Sequence, residues 1–198
     1  MHRLAIFASG SGTNAENIIK YFRNEPQIEV SCICTNRADA FVIERARPYN
    51  IPVLIFTREA FYHTENVLIY LKDNKIDWII LAGFLWLIPS YLIDNFPERI
   101  INLHPALLPK YGGKGMYGNH VHQAVIDHKE AVSGITIHLV NHEYDRGSII
   151  YQATCPVDPS DTAESLATKI HKLEYEYFPK IIEEEIKKGT RDKEQGTS

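Results

Sequence analysis

The chain has 198 residues, of which 44% are hydrophobic, and it carries a formal net charge of −4. That size and apolar content suffice for one domain around a single core. The acidic balance argues against a nucleic-acid-binding protein, because such binding depends on clustered Lys and Arg that neutralise phosphates. We therefore expect a single domain at residues 1–188, a disordered tail at 189–198 and no nucleic-acid partner.

Cysteine content and apolar runs indicate the compartment. Cys32 and Cys34 lie on one predicted strand and Cys155 is distant in sequence, which favours free thiols over a disulfide. The apolar stretch at residues 4–8 is too short for a secretory signal. No run approaches the roughly 20 apolar residues of a membrane helix. We expect a cytoplasmic protein with no membrane partner.

Apolar runs of strand length alternate with segments of helical spacing over the first half of the chain. The predicted strands are residues 4–7, 30–34, 52–56, 78–82 and 100–104. The predicted helices are residues 14–23, 40–49, a region within 59–73, and 89–95. This alternation is typical of βαβ units and predicts an α/β protein with a mostly parallel sheet and helices on both faces.

The pattern changes after Pro105. A glycine-rich stretch at residues 111–118 precedes a short helix at 121–128, two strands at 134–140 and 149–155, and a last helix at about 162–187. We expect these final strands to be partly antiparallel. In open α/β sheets the ligand binds at the carboxyl ends of the strands, so candidate site residues are sought there.

The first predicted strand ends in a glycine-rich loop, Ser9-Gly10-Ser11-Gly12-Thr13-Asn14, directly before a helix. Glycines and a helix N-terminus together favour an anion such as phosphate. With Ala15 the spacing also fits the looser dinucleotide fingerprint. The acidic ribose partner is missing after the second strand, but Arg37 keeps an NADP site open as an alternative. A ligand-free turn capped by Thr13 or Asn14 is the other alternative.

The fifth strand ends in two polar residues that share a face, Asn102 and His104. An amide donor and an imidazole together suit acyl transfer, which needs hydrogen bonds to an oxyanion and a group that exchanges protons. Asp145 lies in a later turn, and a carboxylate brought beside His104 would favour the imidazolium. The alternatives are a polar strand end satisfied by backbone and an aspartate that caps a hairpin.

Four histidines, His120, His122, His138 and His142, invite comparison with metal sites. Their spacing matches no standard Cys/His zinc pattern and no paired cysteine lies nearby. We expect no metal.

Taken together, the motifs of this chain closely resemble those of the glycinamide ribonucleotide transformylases, or phosphoribosylglycinamide formyltransferases, of the formyltransferase superfamily. The resemblance extends to about Pro179. It rests on Phe7 to Asn14, Ala38-Asp39-Ala40 with Glu44-Arg45-Ala46, Leu81-Ala82-Gly83-Phe84, Asn102-Leu103-His104-Pro105 with Leu107 to Tyr111, and Gly134 to His138 leading to Asp145.

The resemblance implies a Rossmann-like sheet and a formyl transfer from 10-formyltetrahydrofolate to the amine of glycinamide ribonucleotide, in de novo purine biosynthesis. The amine would attack directly and form a tetrahedral intermediate. Asn102 and protonated His104 would hold its oxyanion. Asp145 would raise the pKa of His104 and, with a bound water, relay a proton. The implied protein is a monomer or homodimer that needs no metal.

The resemblance also implies residues that bind each substrate. Glu174 would contact the ribose hydroxyls, with Glu176 as a decoy, and Arg58 would meet the glutamate of folate. Trp86 stands where many relatives have Arg. The implied ribonucleotide residues are Ser11, Gly12, Thr13, Asn14, Gly83, Pro105, His171 and Glu174. The implied folate residues are Arg58, Leu85, Trp86, Leu87, Ile88, Asn102, Asn141, His142, Glu143, Tyr144 and Asp145.

Other functions remain open from sequence. A formyltetrahydrofolate hydrolase would carry a regulatory domain before the catalytic part, which we do not expect because the first strand begins at Arg3. A methionyl-tRNA formyltransferase would need a nucleic-acid-binding domain. A non-catalytic nucleotide-binding Rossmann module would have no use for Asn102, His104 and Asp145 together. Residues 112–118 would form either a mobile cover over the substrate or a simple connection.

Overall fold

The computed structural model describes the backbone of residues 1–195 and the side chains of residues 1–189. Seven strands form one sheet in the order β3-β2-β1-β4-β5-β6-β7. The first five strands are parallel, and β6 and β7 are antiparallel to their neighbours. This confirms the predicted fold class. The strands are β1 His2–Phe7, β2 Ile28–Thr35, β3 Val53–Ile55, β4 Trp78–Leu81, β5 Ile100–His104, β6 Val132–Leu139 and β7 Ile149–Pro156.

The helices are close to those expected, with three differences. A 3-10 helix at Arg47–Tyr49, which contains Pro48, follows α2 because proline cannot donate the next helical hydrogen bond. The region 59–73 holds two helices, and α7 runs past the predicted end at Lys187. Residues 196–198 of the predicted tail lie outside the described residues. The helices are α1 Thr13–Phe22, α2 Val42–Ala46, α3 Arg58–Tyr62, α4 Asn66–Asp73, α5 Ser90–Asn95, α6 Asn119–Asp127 and α7 Ala163–Gln195.

Both faces of the sheet are covered, as alternation along β1 illustrates. Leu4 and Ile6 pack in the cluster that includes α1 and α7. Ala5 and Phe7 point to the opposite cluster, with α3, α4 and α5. β1 is therefore apolar on both sides, which is the reason its sequence is a continuous apolar run and not an alternating one. Cys32 and Cys34 lie in the second cluster as free thiols.

The strand order reverses at β1, which lies between β2 and β4. Crossovers on the two sides of such a point run in opposite directions and leave a crevice at the carboxyl ends of the strands. The glycine-rich loop after β1 and the polar residues at the end of β5 both reach this edge. Among the helices described, none combines the length and the apolar character needed to span a bilayer.

Candidate active site

A cavity of about 670 Å³ opens at the carboxyl ends of β1, β4 and β5. It brings together residues that are far apart in sequence and that were expected to bind the ribonucleotide or to act in catalysis. Those predicted residues that line it are Ser11, Gly12, Thr13, Asn14, Gly83, Leu85, Asn102, His104, Pro105, Tyr144, Asp145, His171 and Glu174. The other predicted folate residues, Arg58, Trp86, Leu87, Ile88, Asn141, His142 and Glu143, are not part of its lining.

The loop after β1 leaves the start of α1 open to the cavity. Gly12 occupies the N-cap position with φ of 72°, and no side chain caps the helix. A Cβ on Gly12 would lie 2.5 Å from Cβ of Val42, so the loop can pack on α2 only with glycine here. Arg45 Nε fixes the loop from outside by donating to the Ser11 carbonyl at 2.8 Å. The turn capped by Thr13 or Asn14 is therefore not observed, and the N–H groups of the helix N-terminus suit an anion.

Glu174 on α7 joins the other end of the cavity to this loop. Its Oε2 accepts hydrogen bonds from Asn14 Nδ2 at 2.9 Å and from His171 Nδ1 at 2.8 Å. Glu174 is buried, and the hydrogen bond to it raises the pKa of His171. The decoy Glu176 is exposed and lies 3.8 Å from Lys180. Position on the helix thus separates the two glutamates, since one faces the cavity and the other faces solvent.

His104 is buried beside Asp145 at the end of β5. Its Nε2 donates to the Tyr111 carbonyl at 2.8 Å, and its Nδ1 lies 3.6 Å from Asp145 Oδ1. Burial lowers the pKa of His104, and this effect exceeds the opposing influence of Asp145. The expected upward influence of the carboxylate is present, but the net direction is downward because the charged ring loses its hydration. Burial therefore favours the neutral ring of His104 more than water does.

Asp145 adopts a left-handed backbone conformation, with φ of 53°. Its Oδ2 accepts from the Gly113 N–H at 2.8 Å. Burial raises the pKa of this carboxyl, but the nearby His138 and His104 and the hydrogen bond from the Gly113 N–H together lower it by more, so the net shift of the pKa is downward. The glycine-rich stretch can approach Asp145 this closely because Gly112 has no Cβ. A Cβ at that position would lie 3.2 Å from Asp145 Cβ. Asp145 is thus held ionised in the site.

Asn102 is oriented by His138, a histidine whose sequence position had suggested a metal ligand and no role in orienting another side chain. His138 lies directly opposite Asn102 in the pairing of β5 with β6. Its Nδ1 donates to the Leu139 carbonyl at 2.7 Å, which leaves Nε2 to accept from Asn102 Nδ2 at 3.0 Å. The same Nδ2 lies 3.4 Å from Asp145 Oδ1. The pairing register of β5 and β6 is what identifies His138 as the partner of Asn102, and the sequence by itself does not give that register.

The implied folate residues fall mainly into two segments, residues 85–88 and 141–145, which we call the two folate walls. The first wall, residues 85–88, is packed against aromatic rings. The Arg58 guanidinium lies over the rings of Tyr62 at 5.0 Å and Trp86 at 5.5 Å. Tyr62 donates its hydroxyl to the Leu87 carbonyl at 3.0 Å, and Ile88 is buried in the core. Arg58 therefore lies beside this segment, with its cation held on two aromatic faces.

The second predicted wall, residues 141–145, is a polar loop held by its own hydrogen bonds. Asn141 Nδ2 donates to the Arg146 carbonyl at 3.0 Å, and Glu143 lies 3.4 Å from Arg146 Nε. His142 Nε2 lies 3.6 Å from Asp94 on α5. Since α5 directly follows residues 85–88, this pair brings the two walls together. Tyr144 and Asp145 at the end of the loop reach the cavity.

Further cavity residues were not predicted as site residues. Lys114, Met116 and Tyr117 come from the glycine-rich stretch, which therefore forms part of the cavity wall. His122 lines the cavity from α6, and Arg37 lines it near the anion loop while paired with Asp39. Within residues 1–189, His, Cys, Asp and Glu side chains do not gather in groups of three that could hold a metal ion.

Comparisons with known proteins agree with this arrangement. A family model described as formyl transferase matches residues 2–182. The chain is 40% identical to the chloroplastic phosphoribosylglycinamide formyltransferase of Arabidopsis thaliana, over 93% of this chain and 67% of that protein. It is 33% identical to the phosphoribosylglycinamide formyltransferase of Haemophilus influenzae, over 92% and 86%. The crystal structure of phosphoribosylglycinamide formyltransferase from Bacillus halodurans matches with a TM-score of 0.82 at 36% identity, over 91% and 93%. The resemblance read from the motifs is confirmed, and the chain belongs to the formyl transferase family.

Proposed function

We propose that this protein transfers the formyl group of 10-formyltetrahydrofolate to the amine of glycinamide ribonucleotide, a step of de novo purine biosynthesis, and that it does so without a metal. The observation that carries the proposal is the contact of one partly buried, ionised carboxylate, Asp145, with both His104 and Asn102 at the cavity. The relatives that match over most of this chain bear the name of this activity.

The cavity offers a separate place for each part of the two substrates. The N-terminus of α1 suits the phosphate, and Glu174 suits the ribose hydroxyls because a carboxylate accepts their hydrogen bonds. The amine then points along the cavity toward His104. The pterin lies between residues 85–88 and 141–145, and the formyl-bearing nitrogen of the folate, next to the pterin, lies beside Asn102. Arg58, which is exposed, meets the glutamate carboxylates of folate.

The reaction begins when the amine nitrogen attacks the formyl carbon. The carbonyl electron pair moves to oxygen, and the resulting oxyanion takes hydrogen bonds from Asn102 and His104. The 3.4 Å contact between Asn102 Nδ2 and Asp145 is long for a hydrogen bond, so that hydrogen is free to turn to the oxyanion. The negative charge of the oxyanion raises the pKa of His104. His104 therefore takes up a proton from solvent as the oxyanion forms, donates it as a hydrogen bond to the oxyanion, and returns it to solvent once the carbonyl has re-formed.

Breakdown of the intermediate requires a proton on the departing folate nitrogen. The amine nitrogen gives up one proton as it becomes an amide, and the bond between carbon and the folate nitrogen breaks with its electron pair on that nitrogen. Asp145, kept ionised by its neighbours, stabilises the protonated His104 and relays the proton through a bound water. The products are formylated ribonucleotide and tetrahydrofolate.

The function is tested by following loss of the formyl group from 10-formyltetrahydrofolate with and without glycinamide ribonucleotide. We expect release that depends on the ribonucleotide and equals the amount of formylated product. Release into water without the ribonucleotide would identify a hydrolase instead. No release under either condition would leave a nucleotide-binding module.

We expect His104→Ala and Asp145→Asn each to lower kcat about 100-fold or more, because general acid-base groups and their partners contribute on that order. The matched control is Asp127→Asn, which changes an exposed carboxylate on α6 that accepts a hydrogen bond from Gln123. Its kcat should equal that of the wild type. A wild-type rate in either site variant would remove that residue from the mechanism.

A further inference from the structure

His122 presents a buried polar atom that the proposed mechanism does not use. The residue lies in the first half of α6, is 3% exposed and lines the cavity. Its neighbours Val121 and Val125 face the core. Its Nδ1 has no hydrogen-bond partner among the residues described. Leaving a buried polar atom without a partner is unfavourable, so such an atom at a cavity wall points to a ligand group that forms the missing hydrogen bond.

His122 shares the cavity wall with Glu174, His171 and His104. Burial lowers the pKa of His122, and the carboxylate of Glu174 opposes that effect. His122 is therefore available to the same bound ligand as the glutamate expected at the ribose and the histidine expected at the formyl group. A neutral imidazole has one nitrogen that donates and one that accepts.

We propose that His122 is a ribonucleotide-binding residue that hydrogen-bonds to the ribose hydroxyls beside Glu174. This inference rests on the proposed function. A sugar diol offers both donors and acceptors, whereas the Glu174 carboxylate can only accept. Two of the donors near that carboxylate, Asn14 Nδ2 and His171 Nδ1, are already directed at Glu174 Oε2. His122 supplies the missing group that can donate to a hydroxyl oxygen.

The test compares dissociation constants of three probes for the full chain and its variants: glycinamide ribonucleotide, ribose 5-phosphate and inorganic phosphate. We expect His122→Ala to weaken the first two about tenfold, the loss expected for one hydrogen bond to a neutral group. Phosphate binding should stay unchanged because it uses the α1 loop alone. His122→Asn, which keeps a polar atom near Nδ1, should recover part of the loss.

The control is His120→Ala, which removes an exposed histidine from the same helix and should bind all three probes as the wild type does. In steady-state kinetics, His122→Ala should raise KM for the ribonucleotide more than it lowers kcat. Equal weakening of inorganic phosphate would indicate general damage and overturn the inference. If His122→Ala weakened the binding of glycinamide ribonucleotide and left the binding of ribose 5-phosphate unchanged, the contact would lie on the glycinamide, which would also overturn the inference. A wild-type chain that binds no ribonucleotide would instead refute the proposed function.

Discussion

At the residue scale, the polar groups of the site are oriented by neighbours that do not themselves meet the reacting atoms. His138 is the clearest case, because its backbone-anchored ring holds the Asn102 amide at 3.0 Å. A side-chain amide can rotate and can exchange its oxygen and nitrogen in space. The fixed acceptor on His138 therefore decides that Asn102 presents hydrogen-bond donors, and not its oxygen, toward Asp145 and the expected oxyanion.

We expect His138→Ala to lower kcat by about 10- to 100-fold with little change in either KM, since a misdirected oxyanion donor costs on the order of 1.5–3 kcal/mol. His138→Gln, whose amide can still contact Asn102, should recover part of the rate. His63→Ala, at an exposed site at the end of α3, serves as the control. If KM rises and kcat holds, His138 acts on binding and not on the orientation of Asn102.

The pKa of His104 leads to a prediction about pH and stability. Its pKa in the folded protein lies below the ordinary value of 6.5 because burial disfavours the charged ring. As pH falls from about 7.5 through 6.5, the unfolded chain takes up a proton at this residue and the folded chain does not. The stabilising contribution is therefore present above about pH 6.5 and is lost as pH falls toward the folded pKa.

We expect the free energy of unfolding of wild type minus that of His104→Asn to decrease between pH 7.5 and 5.5, measured by denaturant titration at each pH. The asparagine variant removes this proton uptake and keeps a polar side chain. A difference that stays constant over this interval would mean that His104 has the same pKa in both states.

At the element scale, the β1–α1 loop depends on one backbone conformation and one close approach. Gly12 combines a φ of 72° with a position where a Cβ would contact both Cβ and Cα of Val42. Gly10, in the same loop, has nothing within 4 Å of an added Cβ. The two glycines thus differ in what they permit, although they look equivalent in the sequence.

We expect Gly12→Ala to lower the free energy of unfolding by roughly 2–4 kcal/mol, the sum of a strained left-handed backbone and an overpacked contact. Gly10→Ala should change it by less than about 0.5 kcal/mol, as open surface positions do. Equal unfolding free energies for the two variants would show that the loop can move away from α2 without cost.

Helix α7 shows how one element serves both the core and the site. Leu166, Ile170 and Phe178 are buried against the sheet, and the turn between them carries His171 and Glu174 three residues apart on the cavity side. The apolar spacing predicted this helix correctly. The same spacing could not show which glutamate faces the cavity, since that depends on how the helix crosses the sheet.

At the scale of the whole molecule, the end of α7 completes the core cluster on one face of the sheet. Ile181, Ile182 and Ile186 are 7%, 0% and 1% exposed. A chain ending at Lys180 loses all three, which is roughly 4–9 kcal/mol of apolar burial at about 1.5–3 kcal/mol each. That loss is comparable to the whole stability of a typical domain.

We expect a chain ending at Lys180 to lack a cooperative thermal transition, and a chain ending at Gly189 to unfold at the same temperature as the full chain. The second chain keeps every buried residue that the structure describes. Calorimetry of the two proteins checks both statements. A cooperative transition in the shorter chain would show that the site and sheet fold without the last turns of α7.

A site residue could be predicted from the sequence where its immediate neighbours in the chain indicate its role. The anion loop, the pair Asn102 and His104, and the strands were accessible from sequence because glycine spacing and a two-residue strand period are local. Residues 85–88 and 141–145 were assigned by resemblance to a known family, and most of them lie outside the cavity lining, so their roles in folate binding stay predictions. His122, His138 and Lys114 were missed because nothing local distinguishes them from other polar residues.

The sequence by itself determined the α/β fold, the parallel direction of the first strands, the glycine loop and the family. It could do so because apolar periodicity, glycine conformation and motif spacing act over a few residues. Only the tertiary structure decided that burial outweighs Asp145 in setting the pKa of His104, that His138 orients Asn102, and that His122 reaches the cavity. Those outcomes depend on distances between segments that are far apart along the chain. Asn102 and His138, for example, are separated by 36 residues in sequence. Such distances exist only once the sheet register and the helix packing are formed.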